Sequence, residues 1–232
     1  IKRKHVLVNF LVRSFSRKEI CVMQKIKVLC FLYIVILFSS ILQSQDQNEI
    51  INKTTDIAVY ADQRNWQELM KCFADKVILD YTAMVGGEPA VVTPEQIANA
   101  WKGLLPGFQM TQHQVTNHRI TIKGDEAESF AYVTAVHYLP NPSKNDTWTV
   151  VGYYNHHLKK TRDGWKVDKM KFTPTLIFGN NDLPKLAQEI VKNREKITES
   201  FVAGKNKVVF KSEGSLLRGH LYIPENYKPG TK

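Results

Sequence analysis

Between Met110 and Thr173 the chain alternates apolar and polar side chains through four long runs: Met110–Lys123, Ala127–Tyr138, Thr147–Arg162 and Trp165–Thr173. A period of two is the mark of half-buried strands. The breaks between the runs are turn chemistry. Gly124-Asp125 parts the first two, Pro140–Asp146 the next, and Asp163-Gly164 the last, as a two-residue hairpin signal. Strands joined this way pair antiparallel, and one face of their sheet has to be covered.

The cover lies earlier in the chain. Gln47–Arg64 places Ile50, Ile51, Thr54, Ile57, Ala58 and Ala61 at helical spacing. Asn65 caps a second helix, Trp66–Phe73, whose stripe is Trp66, Leu69, Met70 and Phe73. Lys76–Tyr81 alternates as a strand, and Gly86-Gly87-Glu88-Pro89 is a turn. Thr93-Pro94-Glu95-Gln96 opens a third helix that runs to about Trp101, with a capping side chain and proline at the first position. Helices followed by long antiparallel strands predict an α+β domain, with the helices on one face of a strongly curved sheet.

Beyond it, Asn180-Asn181-Asp182 breaks the pattern, and Leu183–Ala203 is amphipathic through Leu186, Ile190, Ile197 and Phe201. Two strand-like runs, Lys207–Lys211 and Leu216–Ile223, flank Glu213-Gly214 before a polar tail from Pro224. That stretch is too short to bury a core of its own.

The formal charge of +10 invites a nucleic-acid reading, but its placement argues against one. Residues 1–27 hold eight basic side chains against Glu19, residues 28–44 hold no charge, and the remainder nets only +3. No nucleic-acid partner is expected. Met23-Gln24-Lys25-Ile26-Lys27, the apolar run Val28–Leu42 and the small or polar Gln43-Ser44-Gln45 have the order of a secretory signal. The run is shorter than the roughly 20 residues a spanning helix needs. The expectation is an exported protein, periplasmic or secreted, that meets a membrane only through residues 23–44, with an uncleaved anchor as the alternative. Residues 1–22 are expected to be translated upstream sequence. Cleavage near Ser44 leaves Cys72 alone, on a helical apolar face, as a packing residue.

There is no phosphate-cradling glycine loop, no dinucleotide fingerprint, no H-E-x-x-H and no G-x-S-x-G, so no cofactor is expected. What remains is a set of titratable residues where apolar ones belong. Asp62 follows Ala58 by four residues and continues the buried stripe of its helix, unless the helix ends there and it is a surface carboxylate. His113 opens one strand and His137 interrupts an apolar one, so the two can supply a base and an acid if they share a pocket. Each taken alone also fits a core or edge histidine. Tyr81 can turn its hydroxyl toward the same place. His118, His156 and His157 are weaker candidates, since neighbours on a strand point to opposite faces. His113 and His118 have opposite parity and cannot share a metal without a bulge, so no metal is expected.

Asp62-Gln63-Arg64-Asn65-Trp66, Leu69, Cys72-Phe73-Ala74-Asp75 and Asp80-Tyr81 resemble the opening signature of SnoaL-like proteins in the nuclear transport factor 2-like superfamily. Thr111-Gln112-His113, Gly152-Tyr153-Tyr154 and Asp163-Gly164-Trp165-Lys166-Val167 continue it in order. The resemblance spans residues 47–178. It implies a cone-shaped, cystatin-like curved sheet wrapped by N-terminal helices, a small-molecule ligand and, at family level, a homodimer through the outer sheet face. The polar residues are most similar to scytalone dehydratase. That likeness implies Asp62, His113, His137 and Tyr81 as catalytic groups of a cofactor-independent dehydratase or isomerase acting on a small apolar, polyketide-like or steroid-like molecule. Tyr60, Trp101, Phe108, Phe130 and Tyr154 are the expected substrate contacts. One position departs: the family has Tyr immediately before the Asp, where Ala61 stands here, and Tyr60 points about 100° around the helix. The alternative is a non-catalytic ligand-binding or dimerisation domain. Residues 205–232, with Val208-Val209-Phe210 and Leu217–Pro224, resemble the first hairpin of α/β-hydrolases of the dienelactone hydrolase type. That implies a linker helix at 182–204 and a hydrolase that begins there without reaching its nucleophile.

Overall fold

A computed structural model describes residues 17–200, 203–212 and 215–225. Most of the expected upstream segment, the Glu213-Gly214 turn and the end of the polar tail lie outside the described residues. The chain divides into two compact units, residues 1–46 and 47–232. In the first, Leu29, Phe31, Leu32, Tyr33, Ile34, Val35 and Leu37 lie exposed on successive helical positions, so this stretch is apolar on every side.

The second unit holds the core. Helix α1 (Arg17–Asp62) contributes its stretch from residue 47, followed by α2 (Trp66–Lys71), β1 (Phe73–Asp80), a single-turn α3 (Thr82–Val85), β2 (Ala90–Val92) and α4 (Pro94–Lys102). A 3-10 turn at Leu105–Gly107 leads into β3 (Met110–Lys123), β4 (Glu126–Tyr138), β5 (Thr147–Thr161) and β6 (Gly164–Gly179). Helix α5 (Leu183–Ser200) and the hairpin β7 (Gly204–Ser212) and β8 (Ser215–Ile223) complete it. The α4 start is a capping box, in which Thr93 Oγ1 accepts from the Gln96 amide and the Gln96 side chain accepts from the Thr93 amide.

Six strands form one sheet in the order β2-β1-β6-β5-β4-β3, and β7-β8 pair separately. The neighbours from β3 to β6 are antiparallel as expected, but β1 lies parallel to β6, because α4 and the 3-10 turn carry the chain from β2 at one edge of the sheet to β3 at the other. Strand β6 runs past the predicted end at Thr173 to Gly179. Pro174 lacks a ladder donor, and the register shifts beside Gly152, opposite it. A Cβ on Gly152 would stand 2.3 Å from the Thr173 carbonyl oxygen, so the kink that curls the sheet needs glycine there.

One face of the sheet wraps the core. Ile50, Ile57 and Ala61 of α1, Leu69 of α2 and Ile97 of α4 pack in one cluster with Val133, Leu158, Val167 and Met170 from the strands. Helix α5 buries Leu183, Ala187 and Val191, so the segment expected to be a linker is docked. It lies so close to the 3-10 turn that a Cβ on Gly107 would fall 2.1 Å from the Ala187 carbonyl oxygen.

Candidate active site

The last turn of α1 and the start of β3 meet around Asp62. Its Oδ2 accepts the His113 backbone N–H at 2.7 Å, and its Oδ1 accepts from Thr111 Oγ1 at 2.8 Å and from His113 Nδ1 at 2.8 Å. Thr111 and His113 reach one carboxylate because residues two apart on a strand share a face. The hydroxyl of Thr111 in turn accepts from Arg64, whose guanidinium also donates to the carbonyls of Ala61 and Leu105 at 2.6 Å. Arg64 thereby ties the helix end, the 3-10 turn and β3 together. Burial pushes the Asp62 carboxyl up, but the bonds from His113 and Thr111 outweigh it and hold the group below its ordinary range. Because the carboxylate only accepts at Nδ1, the proton of a neutral His113 sits there and its Nε2 carries the lone pair.

His113 forms part of the wall of a cavity of about 220 Å³. Asp62 is not in that wall; it stands behind the imidazole with its side chain 18% exposed, against 13% for His113. His137 lines the same space, its ring edge-on to His113 with centroids 5.5 Å apart. Phe108 and Trp148 pack on His137 at 4.9 and 4.6 Å. Burial, then the neighbouring His113, pushes His137 down to about 4, so it is neutral near pH 7. Its Nδ1 lies 3.2 Å from the Trp148 carbonyl oxygen, which only accepts. The proton of a neutral His137 is therefore on Nδ1, and its Nε2 is an acceptor. The expected acid is thus a hydrogen-bond acceptor at neutral pH.

A donor comes from elsewhere. Tyr81 and Tyr154 both line the cavity and are hydrogen-bonded to each other. Burial raises both, Tyr154 to about 12 and Tyr81 well above its ordinary value, so both keep their protons. The rest of the wall is apolar: Ile57, Ala58, Ala61, Met84, Val85, Trp101, Leu104, Leu105, Ala135, Val150, Met170 and Phe172, with Thr54 and His156 as further polar members. Among the described residues no lysine, arginine, aspartate or glutamate lines it. Val85 is the most exposed lining residue at 76%, which marks the side open to solvent.

Of the expected contacts, Trp101 and Tyr154 stand in the wall, and Phe108 lies behind it. Two positions are corrected. Phe130 points to the outer face of β4, where it meets Tyr132 and Tyr153, because the inward set is the odd-numbered one. Tyr60 lies off the cavity, beside Asp56 and the α2 side of the helix, while its neighbour Ala61 lines the space. The parity argument for His118 also changes. A register shift between Thr116 and Arg119, with Asn117 at φ 57°, turns His118 inward, where its Nε2 lies 3.3 Å from Thr55 Oγ1. It still does not join His113, and no metal-binding cluster occurs among the described residues.

A family model described as a SnoaL-like domain matches residues 43–171, more than half of the 232 residues. The chain belongs to the SnoaL-like family. A comparison with curated proteins found no match. Among solved structures, the Kfla4162 protein from Kribbella flavida is 29% identical with a TM-score of 0.57, covering 63% of this chain and 99% of its own. A protein from Novosphingobium aromaticivorans provisionally named a scytalone dehydratase is 18% identical with a TM-score of 0.51, covering 60% and 90%. An NTF2-like protein with a cystatin-like fold from the same organism is 16% identical with a TM-score of 0.52, covering 65% and 94%. The last two establish the likeness of fold.

Within this SnoaL-like domain, sequence reasoning passed over Thr111 and Arg64. The i, i+2 spacing of Thr111 and His113 was a usable signal for the first. Arg64 needed its left-handed backbone, φ 59°, to fold back under the helix end. His156 was also set aside, although it is fully buried in the cavity wall.

Proposed function

We propose that the SnoaL-like cavity performs cofactor-independent proton abstraction, leading to dehydration or double-bond isomerisation, on a small neutral carbonyl compound. The observation that carries this reading is a carboxylate-backed imidazole, 2.8 Å from Asp62, in the wall of a largely apolar cavity. Asp62 accepts from His113 Nδ1, fixes its tautomer and holds its ring in place. His113 Nε2 removes a proton next to the substrate carbonyl, and the C–H electrons move into an enolate. The Tyr154 hydroxyl, itself a partner of Tyr81, donates to the developing oxyanion. The protonated His113 then returns its proton. Delivered to a β-hydroxyl, it lets the C–O bond break and water leave; delivered to a carbon further along, it moves the double bond. His137 Nε2 accepts from a substrate hydroxyl and orients it. The solved neighbour provisionally named a scytalone dehydratase is consistent with elimination chemistry on this fold.

The test uses two probes. The first is a cyclohexanone carrying a phenyl group opposite its carbonyl, followed for deuterium uptake next to the carbonyl. The second is the aldol of benzaldehyde and acetone, followed for conversion to the conjugated enone. The native protein is expected to accelerate exchange of the first, and elimination of the second where the cavity accepts it. A native protein that binds the ketone yet exchanges no deuterium above buffer is a binding module, and the catalytic reading fails.

We also propose export. Lys25 and Lys27 precede a helical run that is apolar on every side, as a secretory signal requires. Amino-terminal sequencing of the exported protein is expected to begin close to Gln45; retention of residues 23–44 contradicts it.

A further inference from the structure

His156 is the second polar feature of the cavity wall, and the mechanism above does not use it. It is 1% exposed, lines the cavity, and neither ring nitrogen has a hydrogen-bond partner. Ser129, directly opposite it on β4, is 2% exposed, and its hydroxyl is also unpartnered. Two adjacent unpartnered polar side chains are costly in an apolar interior unless something in the site bonds them.

Along β5, His156 lies beyond Tyr154, whose ring packs on it with centroids 5.4 Å apart, and further from His113. His113 pairs with Ala135 and Ala135 with Val150, whereas His156 lies six residues further along β5. At a rise of about 3.3 Å per residue that is at most about 20 Å. Met170, opposite His156 on β6, and Thr54 of α1 complete this part of the wall. The cavity wall therefore carries the histidine pair His113 and His137 in one part and His156 in another, with Tyr154 between them.

We propose that His156 forms a distal subsite that recognises a neutral hydroxyl, alcoholic or phenolic, at the far end of an elongated apolar carbonyl compound. A neutral imidazole offers one donor and one acceptor, and a hydroxyl answers both. Burial, then nearby His118, pushes His156 down to about 3, so it does not present a cation to an anionic group. No charged side chain lines the cavity among the described residues, so a carboxylate at that end would be desolvated without a counter-ion. The inference rests on the cavity being the ligand site, and it names the class of ligand.

The experiment compares the phenyl-substituted cyclohexanone with its para-hydroxyphenyl counterpart, by calorimetry and by nitrogen NMR of the histidine rings. The hydroxylated ketone is expected to bind the native protein about five- to tenfold more tightly, the value of one added hydrogen bond. His156→Phe should abolish that preference while leaving affinity for the plain ketone, and His156→Gln should retain part of it. The His156 ring signals should move with the hydroxylated ligand far more than with the plain one, a readout that needs no variant to fold. Equal affinity of the native protein for the two ketones overturns the subsite, while deuterium exchange of both leaves the proposed function standing. A hydroxyl preference without exchange supports the subsite and removes the catalysis. Failure of both ketones to bind overturns both. If Ser129→Ala shifts the His156 ring signals in the free protein as much as ligand does, the two side chains satisfy each other and the subsite falls.

Discussion

Asp62 accepts three hydrogen bonds from two residues of one strand, so its position and its charge are fixed together. Asp62→Asn keeps the shape but offers an amide where His113 Nδ1 needs an acceptor. Deuterium exchange of the probe ketone is expected to fall by roughly 10²–10³-fold, with little change in ketone affinity. An unchanged exchange rate would take Asp62 out of the machinery. Thr111→Val leaves the charge but removes one donor to Asp62 and one acceptor for Arg64, and a smaller loss of about tenfold is expected in the same assay. The residues legible in the sequence were those whose type is costly to bury: an aspartate on an apolar helix stripe and histidines within strands. What sequence could not give was which nitrogen of His137 carries the proton, because the Trp148 carbonyl that decides it comes from another strand. Phe130 was misplaced for a different reason. Its bulk suggested a pocket, whereas its parity with the outward-facing Tyr132 and Glu128 sends it outside.

Strand periodicity and turn chemistry were enough to locate β3 to β6, and the Thr93 box to start α4 at the right residue. They could not show the parallel joint of β1 with β6, which depends on how α4 and the 3-10 turn carry the chain across the sheet from β2 to β3. Nor could they show the irregularity near Asn117, since one extra residue in a strand leaves no compositional trace yet reverses the facing of everything after it. Docking of α5 was hidden for a related reason: an amphipathic stripe says that a helix packs, not on what. The contact is close at Gly107, so Gly107→Ala tests it. A methyl group there meets the Ala187 backbone, and the 3-10 turn or α5 has to move. The expected cost is about 2 kcal/mol by urea denaturation. Because Leu105 in the same turn accepts from Arg64, the exchange rate should fall as well. A variant as stable as the native protein would mean that α5 yields without effort.

At the scale of the whole molecule, every buried hydrophobic residue of the core lies at or beyond Ile50 among the described residues. A chain starting at Gln47 is therefore expected to unfold at the same urea midpoint as the full sequence; a large drop would show that earlier residues contribute to the core. The interior that remains carries a pH dependence set by its buried histidines, His137 and His156 above all, with His118 also lowered by burial. His137 and His156 are depressed to about 4 and about 3 by burial, whereas in the unfolded chain they titrate near their ordinary value of 6.5. Between those limits the unfolded state binds more protons than the folded one, so stability rises with pH. The contribution is complete above about pH 6.5 and is lost progressively as pH falls toward the folded values. By pH 5 each histidine can account for up to about 2 kcal/mol. Asp62, also depressed, adds its own loss only below the ordinary carboxylate range. Urea denaturation at pH 7 and pH 5 should show the difference, and His156→Gln should remove a clear part of it, since glutamine does not titrate. A protein equally stable at both values would mean that water reaches these rings. The cavity would then lack the dryness that keeps His137 neutral and leaves His156 to a ligand.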